Sequence, residues 1–333
     1  MPIKTNTYHL HIESARNRPT IFQPLAADWA AAAKRHRTLA KHLRVTVGQD
    51  NEILEDALKT ADFMITNGTP PTERFRERAP KLQWIQTTAA GVDGWMPMTW
   101  LAKDITLTNN TGAHGTKTED SCAMALLMLQ ARLPEVIKNQ QDRVWKGIFT
   151  NPIAGKTVVI LGFGDLGQGA GRAAKKLGLT VIAVTRSGTP HKLADRMIKT
   201  ARLDSVLPKA DFVIITTPLT AQTRGLFNRE RINRIKPGAG FINIGRSPIV
   251  DYVALCERLE KNELCGAVLD VFDKEPLPPD SPYWTTKNLM VLPHISCDNP
   301  DYIEHLLDFW FLNFARFLAG KKLKNIVDRA LGY

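Results

Sequence analysis

A glycine-rich turn after an uninterrupted apolar segment is the feature that most constrains how this chain can fold. Residues 157–161 read Thr-Val-Val-Ile-Leu, and residues 162–167 continue as Gly-Phe-Gly-Asp-Leu-Gly. A G-x-G-x-x-G pattern alone is weak evidence, but between a buried strand and an alanine-rich helix it predicts dinucleotide binding. Its first glycine permits the tight turn, the second lets the backbone approach a pyrophosphate, and the third allows close helix–strand packing. The peptide N–H groups of Leu166 and Gly167 would then face the phosphates.

Further apolar runs after this turn predict the other strands of the same sheet. They lie at residues 181–185, 212–216, 240–244, 267–271 and 289–292. Continuous apolar strands are buried on both faces, as in a parallel sheet with helices on either side. Together with the strand before the turn they make six, which is the strand count of a dinucleotide-binding fold.

The N-terminal third shows the same alternation of strands and helices. Strands are predicted at residues 8–12, 43–47, 63–66, 82–87 and 105–108, and helices at 28–40, 52–60 and 72–78. This alternation indicates a second parallel α/β sheet. Because 333 residues exceed the usual size of one domain, two domains are expected. The strongly apolar helix predicted at residues 300–318 is expected to pack back on the first domain.

The segment that joins the two sheets predicts a long helix. Thr116 and Glu119 fit the Ser/Thr-x-x-Glu capping box, in which both side chains satisfy exposed N–H groups at a helix start. Apolar residues 122–129 continue the pattern. The helix is expected to end near residues 132–134, or to kink there and continue towards Trp145. We place the crossing between the domains just before this helix.

Composition and charge exclude several classes of protein. Lys and Arg number 44 against 33 Asp and Glu, and the net charge of +11 is compatible with anionic small ligands, nucleic acid or simple solubility. No apolar run approaches the about 18 residues of a membrane span, and residues 1–14 lack the apolar core of a signal peptide. The four cysteines are far apart and show no metal-site spacing, which predicts reduced thiols in a cytoplasmic protein and no bound metal.

The end of the second strand of the dinucleotide sheet carries Arg186 and Ser187. An acidic residue at this position would accept the ribose hydroxyls of NAD and repel a 2′-phosphate. An arginine and a hydroxyl would instead bind that phosphate. The sequence therefore favours NADP(H) over NAD(H), which stays possible. The alternative is that Arg186 only stacks on the adenine or faces solvent.

Three ionisable residues, Arg246, Glu275 and His294, each come just past a later strand. Ligands of open α/β sheets bind outside the carboxyl ends of the strands. An arginine offers a fork for a carboxylate or keto oxygen, and a histidine exchanges protons near neutral pH. A carboxylate beside the histidine would orient the imidazole and stabilise its charged form. Together the three side chains form a complete set for reducing a carbonyl group.

These motifs closely resemble those of the D-isomer-specific 2-hydroxyacid dehydrogenases. The resemblance covers nearly the whole chain, and its motifs are the glycine turn, Thr-Thr-Pro-Leu-Thr at residues 216–220, Gly-Arg at 245–246, Asp-Val-Phe-x-x-Glu-Pro at 270–276 and Pro-His at 293–294. It implies that Arg246 holds the substrate, that Glu275 is the partner of the acid/base, and that His294 is the proton donor. It also implies an α/β fold of two Rossmann-like or flavodoxin-like parallel-sheet domains. The cofactor domain, residues 113–297, would be inserted into a substrate-binding domain of residues 1–112 plus 298–333.

The same resemblance implies the binding residues. Ala90, Gly91 and Val92 would hold the substrate carboxylate through their N–H groups, together with Arg246 and His294. Trp145 resembles a tryptophan that can reach the partner subunit's site, and a homodimer is expected. The implied cofactor-binding residues are Gly162, Gly164, Asp165, Leu166, Gly167, Arg186, Ser187, Thr217, Pro218, Ile244, Gly245, Arg246, Asp270 and His294.

Two positions bear on how far the resemblance extends. Ser247 and Pro248 follow Arg246 where the family often has Gly or Ala, which changes the stiffness of the loop. The related formate dehydrogenases have a Gln where Glu275 stands. Because a neutral Gln would not favour a protonated histidine, Glu275 favours reduction of a 2-keto acid over oxidation of formate.

The expected activity is hydride transfer from NADPH to a small 2-keto acid, such as glyoxylate or hydroxypyruvate, which gives the D-2-hydroxy acid. A larger 2-keto acid is an alternative, because several apolar residues near the predicted pocket could line it or could be ordinary packing residues. They are Trp95, Met96, Met98, Trp100, Tyr283 and Trp284. A dinucleotide-sensing corepressor on the same fold is a second alternative. The presence of the three ionisable residues, with no DNA-reading motif, argues against it and against a nucleic-acid partner.

Overall fold

The computed structural model describes residues 7–333 and divides into two compact α/β units. One unit comprises the chain up to Ala113 together with Asn299–Tyr333, and the other comprises His114–Asp298. The first six residues, which belong to the segment predicted to lack a signal peptide, lie outside the described part. None of the helices within residues 7–333 is long and apolar enough to span a membrane.

The first unit is built on a five-stranded sheet. Its strands are β1 Tyr8–Ser14, β2 Leu43–Gln49, β3 Phe63–Thr66, β4 Trp84–Thr87 and β5 Thr106–Thr108. Their order is β2-β1-β3-β4-β5, and all neighbours are parallel. Successive side chains of a strand point to opposite faces, so Ile65 of β3 packs in one core and Met64 in the other.

Helices cover this sheet. They are α1 Ala26–Arg35, α2 Arg37–Ala40, α3 Leu54–Leu58, α4 Phe75–Arg78 and the C-terminal helix Tyr302–Leu318. The prediction that the C-terminal helix packs on the first unit is confirmed, since Trp310 stacks on Trp84 with ring centroids 5.1 Å apart. The single helix predicted at 28–40 is wrong. It breaks at His36, whose ring stacks on Phe311 and bonds Asp308 at 2.8 Å.

The second unit is built on a seven-stranded parallel sheet. Its strands are β6 Thr157–Leu161, β7 Thr180–Thr185, β8 Arg196–Lys199, β9 Phe212–Ile215, β10 Gly240–Asn243, β11 Gly266–Leu269 and β12 Leu289–Val291. The order is β12-β11-β10-β9-β6-β7-β8. Successive strands of the chain are therefore added on one side of β6 up to β8 and on its other side from β9 onwards, and the switch point lies between β6 and β9. Open α/β sheets bind ligands at such a switch point, outside the carboxyl ends of the strands.

The predicted number of six strands in this sheet is wrong. The extra strand is β8 at the edge, which pairs with β7 alone. An edge strand contacts the core only partly, and in β8 only Ile198 is buried while Arg196 and Lys199 are exposed. Its sequence therefore has no continuous apolar run. The fold class itself, two parallel-sheet α/β units, is confirmed.

The helices of the second unit are α5 Gly115–Gln130, α6 Leu133–Gln141, α7 Asp165–Lys176, α8 Arg229–Arg234 and α9 Tyr252–Glu260. The long helix predicted from residue 116 is expected either to end near residues 132–134 or to kink there and continue towards Trp145. The structure has the interruption: α5 ends at Gln130, Arg132 takes a left-handed conformation with φ of 52°, and α6 continues as far as Gln141. Short 3-10 turns complete the chain at Thr20–Phe22, Asp93–Trp95, Met98–Trp100, Thr200–Ser205, Leu207–Lys209, Ser247–Ile249 and Pro282–Trp284.

The predicted capping box at the start of α5 is also wrong. The helix begins at Gly115, so Thr116 lies inside its first turn, and His114 is the capping residue without a side-chain cap. The carboxylate of Glu119 instead pairs with Arg172 and Lys176 of α7, each at 2.6 Å. These ion pairs lower the pKa of Glu119. The two positive charges on the facing helix, one from an arginine and one from a lysine, attract the carboxylate more strongly than one peptide N–H group does.

Candidate active site

Two positions of the turn between β6 and α7 require glycine for different reasons. One has a backbone conformation that other residues rarely adopt, and the other has no room for a side chain. Gly162 has φ of +89°, a left-handed value that favours glycine. A Cβ on Gly167 would collide with the carbonyl oxygen of Gly162. By contrast, nothing lies within 4 Å of a Cβ built on Gly164. The turn therefore packs tightly against its own strand and leaves open space at Gly164, where a pyrophosphate could approach the backbone.

The neighbouring strand end presents an unsatisfied polar atom to the same turn. Thr216 donates its hydroxyl to the carbonyl oxygens of Leu161 and Gly162, both at 3.0 Å. The hydroxyl of Thr217 is buried and has no hydrogen-bond partner among the described residues. Buried hydroxyls are normally satisfied, so this orphan oxygen fits a ligand that supplies the partner. The residues around the turn thus fit a bound dinucleotide.

Asp165, the first residue of α7, has a structural contact that the sequence did not indicate. Its carboxylate accepts the peptide N–H of His114 at 3.3 Å, just before the start of α5.

The other implied cofactor residues lie along the same edge of the sheet, in the loops after β9 and β10 and at the start of α7. They are Pro218 after β9, Ile244 and Gly245 after β10, and Leu166 in α7.

Arg186 and Ser187 follow β7 and are exposed. In the described part of the chain, no carboxylate or carbonyl oxygen pairs with the guanidinium group of Arg186. The hydroxyl of Ser187 accepts a hydrogen bond from the peptide N–H of Thr189 at 3.2 Å. Arg186 therefore keeps all of its donors for a ligand, and an anion such as a phosphate matches their charge and geometry.

The loop after β10 carries Arg246 and is fixed from below by a buried polar network. Asn243 accepts the peptide N–H of Gly245 at 3.0 Å and donates to the carbonyl of Arg246 at 3.2 Å. The Asn243 amide also donates to the hydroxyl of Tyr252 at 2.9 Å, which donates in turn to the carbonyl of Val271. These bonds hold the backbone around Arg246 and connect it to the loop after β11. Sequence reasoning missed Asn243 and Tyr252, whose only signal is a polar residue at the end of an apolar strand.

A second bond joins the same two loops through Ser247. Its buried hydroxyl donates to the carboxylate of Asp273 at 2.8 Å, two residues before Glu275. A Gly or Ala at position 247 could not make this bond. The serine that departs from the family's usual residue therefore ties the arginine loop to the glutamate loop.

Removal of this bond tests whether it positions the two loops. We expect Ser247→Ala to lower kcat by about three- to tenfold with little change in the KM of the cofactor. Other bonds still hold both loops, so only part of the about 1.5–3 kcal/mol that a hydrogen bond to a charged group contributes is lost in the reaction. Asp273→Ala, which removes the acceptor, should have a similar effect, and the double variant should be no worse than either single one. Steady-state kinetics of the three variants measure this coupling. Additive losses would contradict it.

Glu275 and His294 form the central ion pair of this edge. The Nδ1 of His294 lies 2.7 Å from Oε2 of Glu275, and the other carboxylate oxygen accepts the peptide N–H of Phe272 at 2.8 Å. Since an ionised carboxylate can only accept, Nδ1 carries a proton and Nε2 is left to face a substrate. The hydrogen bond to Glu275 raises the pKa of His294, while burial and the charge of Arg246 act in the opposite direction.

The same contacts act on the carboxylate. Burial alone would raise the pKa of Glu275, but the hydrogen bonds from His294 and Phe272 outweigh it and the pKa is lowered. Both shifts favour a carboxylate beside a protonated imidazole. About 40% of the His294 side chain stays exposed, so a ligand can reach it.

Asp270 holds the loop that carries His294. Its buried carboxylate accepts the peptide N–H groups of Ile295 at 2.8 Å and Ser296 at 3.1 Å. Burial raises the pKa of Asp270, and these two bonds oppose that effect. His294 itself has a left-handed backbone with φ of 56°, which an unsupported histidine seldom adopts. The aspartate thus stabilises the backbone conformation that places the imidazole beside Glu275.

The loop of residues 90–92 belongs to the first unit, where it follows β4. The carbonyl of Ala90 accepts from the Asn109 side chain at 2.8 Å, and the side chain of Val92 is buried in the core. No hydrogen bond within residues 7–333 uses the peptide N–H groups of residues 90–92. Three consecutive free donors of this kind suit a carboxylate.

The apolar residues considered as pocket lining have mixed positions. Trp95 and Met98 are buried in the core of the first unit, and Trp95 stacks on Trp100 with centroids 5.9 Å apart. Tyr283 packs against the core of the second unit. Met96 and Trp284 are exposed. Packing therefore accounts for four of the six side chains. Trp145 lies outside the helices and is fully exposed.

The second unit combines a parallel sheet and this glycine turn with an arginine, a glutamate and a histidine in loops at one edge of the sheet. This combination defines a nicotinamide-nucleotide-dependent dehydrogenase. Residues 123–296 match the family model described as D-isomer specific 2-hydroxyacid dehydrogenase, NAD binding domain. The chain belongs to the D-isomer-specific 2-hydroxyacid dehydrogenase family. The resemblance found in the sequence is thereby confirmed.

The most similar relatives include two enzymes named glyoxylate/hydroxypyruvate reductase B. The one from Pectobacterium carotovorum is 33% identical over 316 residues, which cover 92% of this chain and 97% of the relative. The one from Yersinia pseudotuberculosis is 34% identical over 307 residues, which cover 88% and 93%. Both relatives match nearly from end to end.

Two crystal structures have a similar fold and contain a cofactor. The D-isomer specific 2-hydroxyacid dehydrogenase from Xanthobacter autotrophicus, in complex with NADPH and MES, gives a TM-score of 0.84 at 26% identity and covers 98% of this chain and 100% of its own. The NADPH-dependent glyoxylate/hydroxypyruvate reductase from Sinorhizobium meliloti, in complex with NADP and sulfate, gives 0.81 at 26% and covers 97% and 99%.

Proposed function

We propose that this enzyme reduces a small 2-keto acid of the glyoxylate or hydroxypyruvate type to the D-2-hydroxy acid with NADPH. The observation that carries the proposal is the 2.7 Å contact between His294 and Glu275 in loops next to the one that holds Arg246. The near full-length relatives named for this activity support the choice of substrate. The proposed catalytic residues are Arg246, Glu275 and His294.

The chain's own groups supply the proton and the charge that carbonyl reduction needs. His294 holds a proton at Nε2 and gives it to the keto oxygen of the substrate. Glu275 keeps the imidazole in its charged form and fixes it through Nδ1. Arg246 stabilises the negative charge that develops on the oxygen. The free N–H groups of residues 90–92 bind the carboxylate of the substrate. The bound nicotinamide cofactor supplies the hydride.

The cofactor is assigned to the turn between β6 and α7 and to the strand ends beside it. Gly162, Gly164 and Gly167 shape the pyrophosphate site, and Thr217 supplies the orphan hydroxyl. Arg186 binds the 2′-phosphate of NADP, and NAD binds more weakly because it lacks this group. Bound NADPH and NADP in the two similar crystal structures support this preference.

Exchange of Arg186 for an acid tests the cofactor preference. We expect Arg186→Asp to raise the KM for NADPH by about 10- to 100-fold, because it removes charge-assisted bonds and adds repulsion against the 2′-phosphate. The KM for NADH should stay within a few-fold or fall. Steady-state kinetics with both cofactors give the ratio. Arg202→Asp, at another exposed arginine of this unit, is the matched control and should leave the ratio unchanged.

Two further expectations are part of the proposal. We infer a cytoplasmic enzyme, in keeping with four free cysteines. We also infer a homodimer without a nucleic-acid partner. Trp145 and Phe149 are almost fully exposed, which suits a contact with a second copy. Sedimentation velocity of the purified protein tests the oligomeric state.

One substrate panel tests the proposed function directly. Glyoxylate, hydroxypyruvate and a series of longer 2-keto acids are assayed with NADPH and with NADH. We expect the two small acids with NADPH to give the highest kcat/KM. Preference for a longer acid would favour the larger-substrate alternative. Of the six apolar residues considered as pocket lining, only Met96 and Trp284 are exposed and could contact such a substrate. Tight NADPH binding without turnover on any acid would favour a dinucleotide-sensing protein instead.

A further inference from the structure

The two ends of the second unit bring together three side chains that the proposed reaction does not use. His114 is its first residue and Asp298 its last, and Cys297 precedes Asp298. One ligand atom from each of these residues lies within 4.8 Å of the other two. His114 and Cys297 are 183 residues apart in sequence, so spacing along the chain could not reveal the cluster.

We propose that His114, Cys297 and Asp298 form a binding site for a divalent transition metal of the zinc class. An imidazole nitrogen, a thiolate and a carboxylate oxygen are the three ligand types that Zn²⁺ takes in proteins. Ligands of a tetrahedral zinc ion lie about 3.5 Å from one another, so small side-chain rotations would bring the three atoms to bonding distance. The fourth position would be filled by water.

The present contacts are those that a metal could replace. Nδ1 of His114 lies 3.5 Å from the Asp298 carboxylate and 3.1 Å from the carbonyl of Cys297. The thiol of Cys297 contacts the same carboxylate at 3.9 Å. His114 and Asp298 are both about nine-tenths buried. Because buried negative charge needs a compensating cation, a divalent ion would stabilise a thiolate and a carboxylate together. Binding breaks the S–H bond, and the proton goes to the buffer.

The donor set excludes the common hard cations. Mg²⁺ and Ca²⁺ prefer six or more oxygen ligands, whereas this cluster offers one carboxylate. A thiol and an imidazole favour Zn²⁺ and its spectroscopic substitute Co²⁺. The charges of Arg246 and of His294 act on the cluster from the catalytic loops. A metal here would therefore lie within the electrostatic reach of the proposed catalytic residues.

Cobalt titration of the full-length protein, kept reduced with a phosphine, tests the site. We expect a thiolate-to-cobalt charge-transfer band in the near ultraviolet that saturates and is removed by Zn²⁺. Cys297→Ser should abolish the band, and His114→Gln or Asp298→Asn should weaken Zn²⁺ binding by at least about tenfold. Cys256→Ser, at another partly buried free cysteine, is the matched control and should keep the band.

Two results would overturn the proposal. One is the absence of a charge-transfer band in the wild-type protein, and the other is a band that Cys297→Ser leaves unchanged or that Cys256→Ser removes equally. Thermal unfolding of each variant shows whether it has folded. If Cys297→Ser does not fold, Zn²⁺ affinities of the His114→Gln and Asp298→Asn variants decide, and wild-type values in both would refute the site.

Discussion

Replacement of His294 by alanine is expected to lower kcat for glyoxylate reduction by about 10²- to 10⁴-fold, the usual contribution of a positioned general acid. The imidazole is held at Nδ1 by Glu275, and its Nε2 is the proton donor of the proposed reaction. Without it, the keto oxygen must take a proton from water while its negative charge depends on Arg246 alone. Stopped-flow and steady-state measurements with NADPH give the loss.

The affinity for NADPH shows whether the loss of kcat comes from the missing proton donor or from a damaged structure. NADPH contacts are assigned mostly to the glycine turn and Arg186, so its Kd for the alanine variant should change by only a few-fold. His305→Ala, at an exposed histidine of the C-terminal helix, is the matched control and should keep wild-type kcat. A His294→Ala enzyme whose kcat stays within about twofold of wild type would remove this residue from the mechanism.

The central strands of both sheets could be predicted from the sequence because burial acts on every one of their residues. β6 and β3, for example, have their predicted bounds. The edge strand β8 could not be predicted, since its exposed face tolerates Arg196 and Lys199 and leaves one buried isoleucine as the only signal. Hydrophobic periodicity detects strands only where the packing on both faces imposes it.

Helix starts were harder to predict because competing partners lie far away in sequence. Thr116 and Glu119 have the spacing of a capping box, but Arg172 and Lys176 of α7 attract the glutamate. These residues are more than fifty positions further along the chain. Tertiary ion pairs of this kind are invisible to any local pattern.

The proposed catalytic side chains could be selected from the sequence, but not the network that positions them. Arg246, Glu275 and His294 stand at strand ends, where chemistry is expected. Asn243, Tyr252 and Asp273 are ordinary polar residues in sequence, and their importance comes from bonds that cross between loops. Asp270 was selected for the cofactor by resemblance, whereas its visible contacts are with the loop that carries His294.

Substitution of Glu275 by glutamine is expected to move the pH dependence of reduction towards acid. The hydrogen bond from Glu275 raises the pKa of His294, so the proton donor of the wild-type enzyme persists to a higher pH than a free histidine would. Reduction needs that proton, and its rate falls as pH rises through this pKa. A neutral amide no longer stabilises the protonated imidazole of His294. In a plot of kcat/KM against pH, the fall in rate should therefore begin at a lower pH.

The glutamine variant removes the charge and keeps one of the two acceptor atoms. Its side-chain oxygen can still accept the Nδ1 proton of His294, whereas its amide nitrogen cannot accept the peptide N–H of Phe272, which Glu275 accepts. We therefore expect a loss of roughly 10- to 100-fold at about pH 8 and a clearly smaller loss at about pH 6. Oxidation of the 2-hydroxy acid, which needs the neutral imidazole, should lose less than reduction at the same pH. Glu73→Gln, at an exposed glutamate of the other unit, should leave both profiles unchanged. A reduction profile that keeps its wild-type midpoint would mean that Glu275 does not set the protonation of His294.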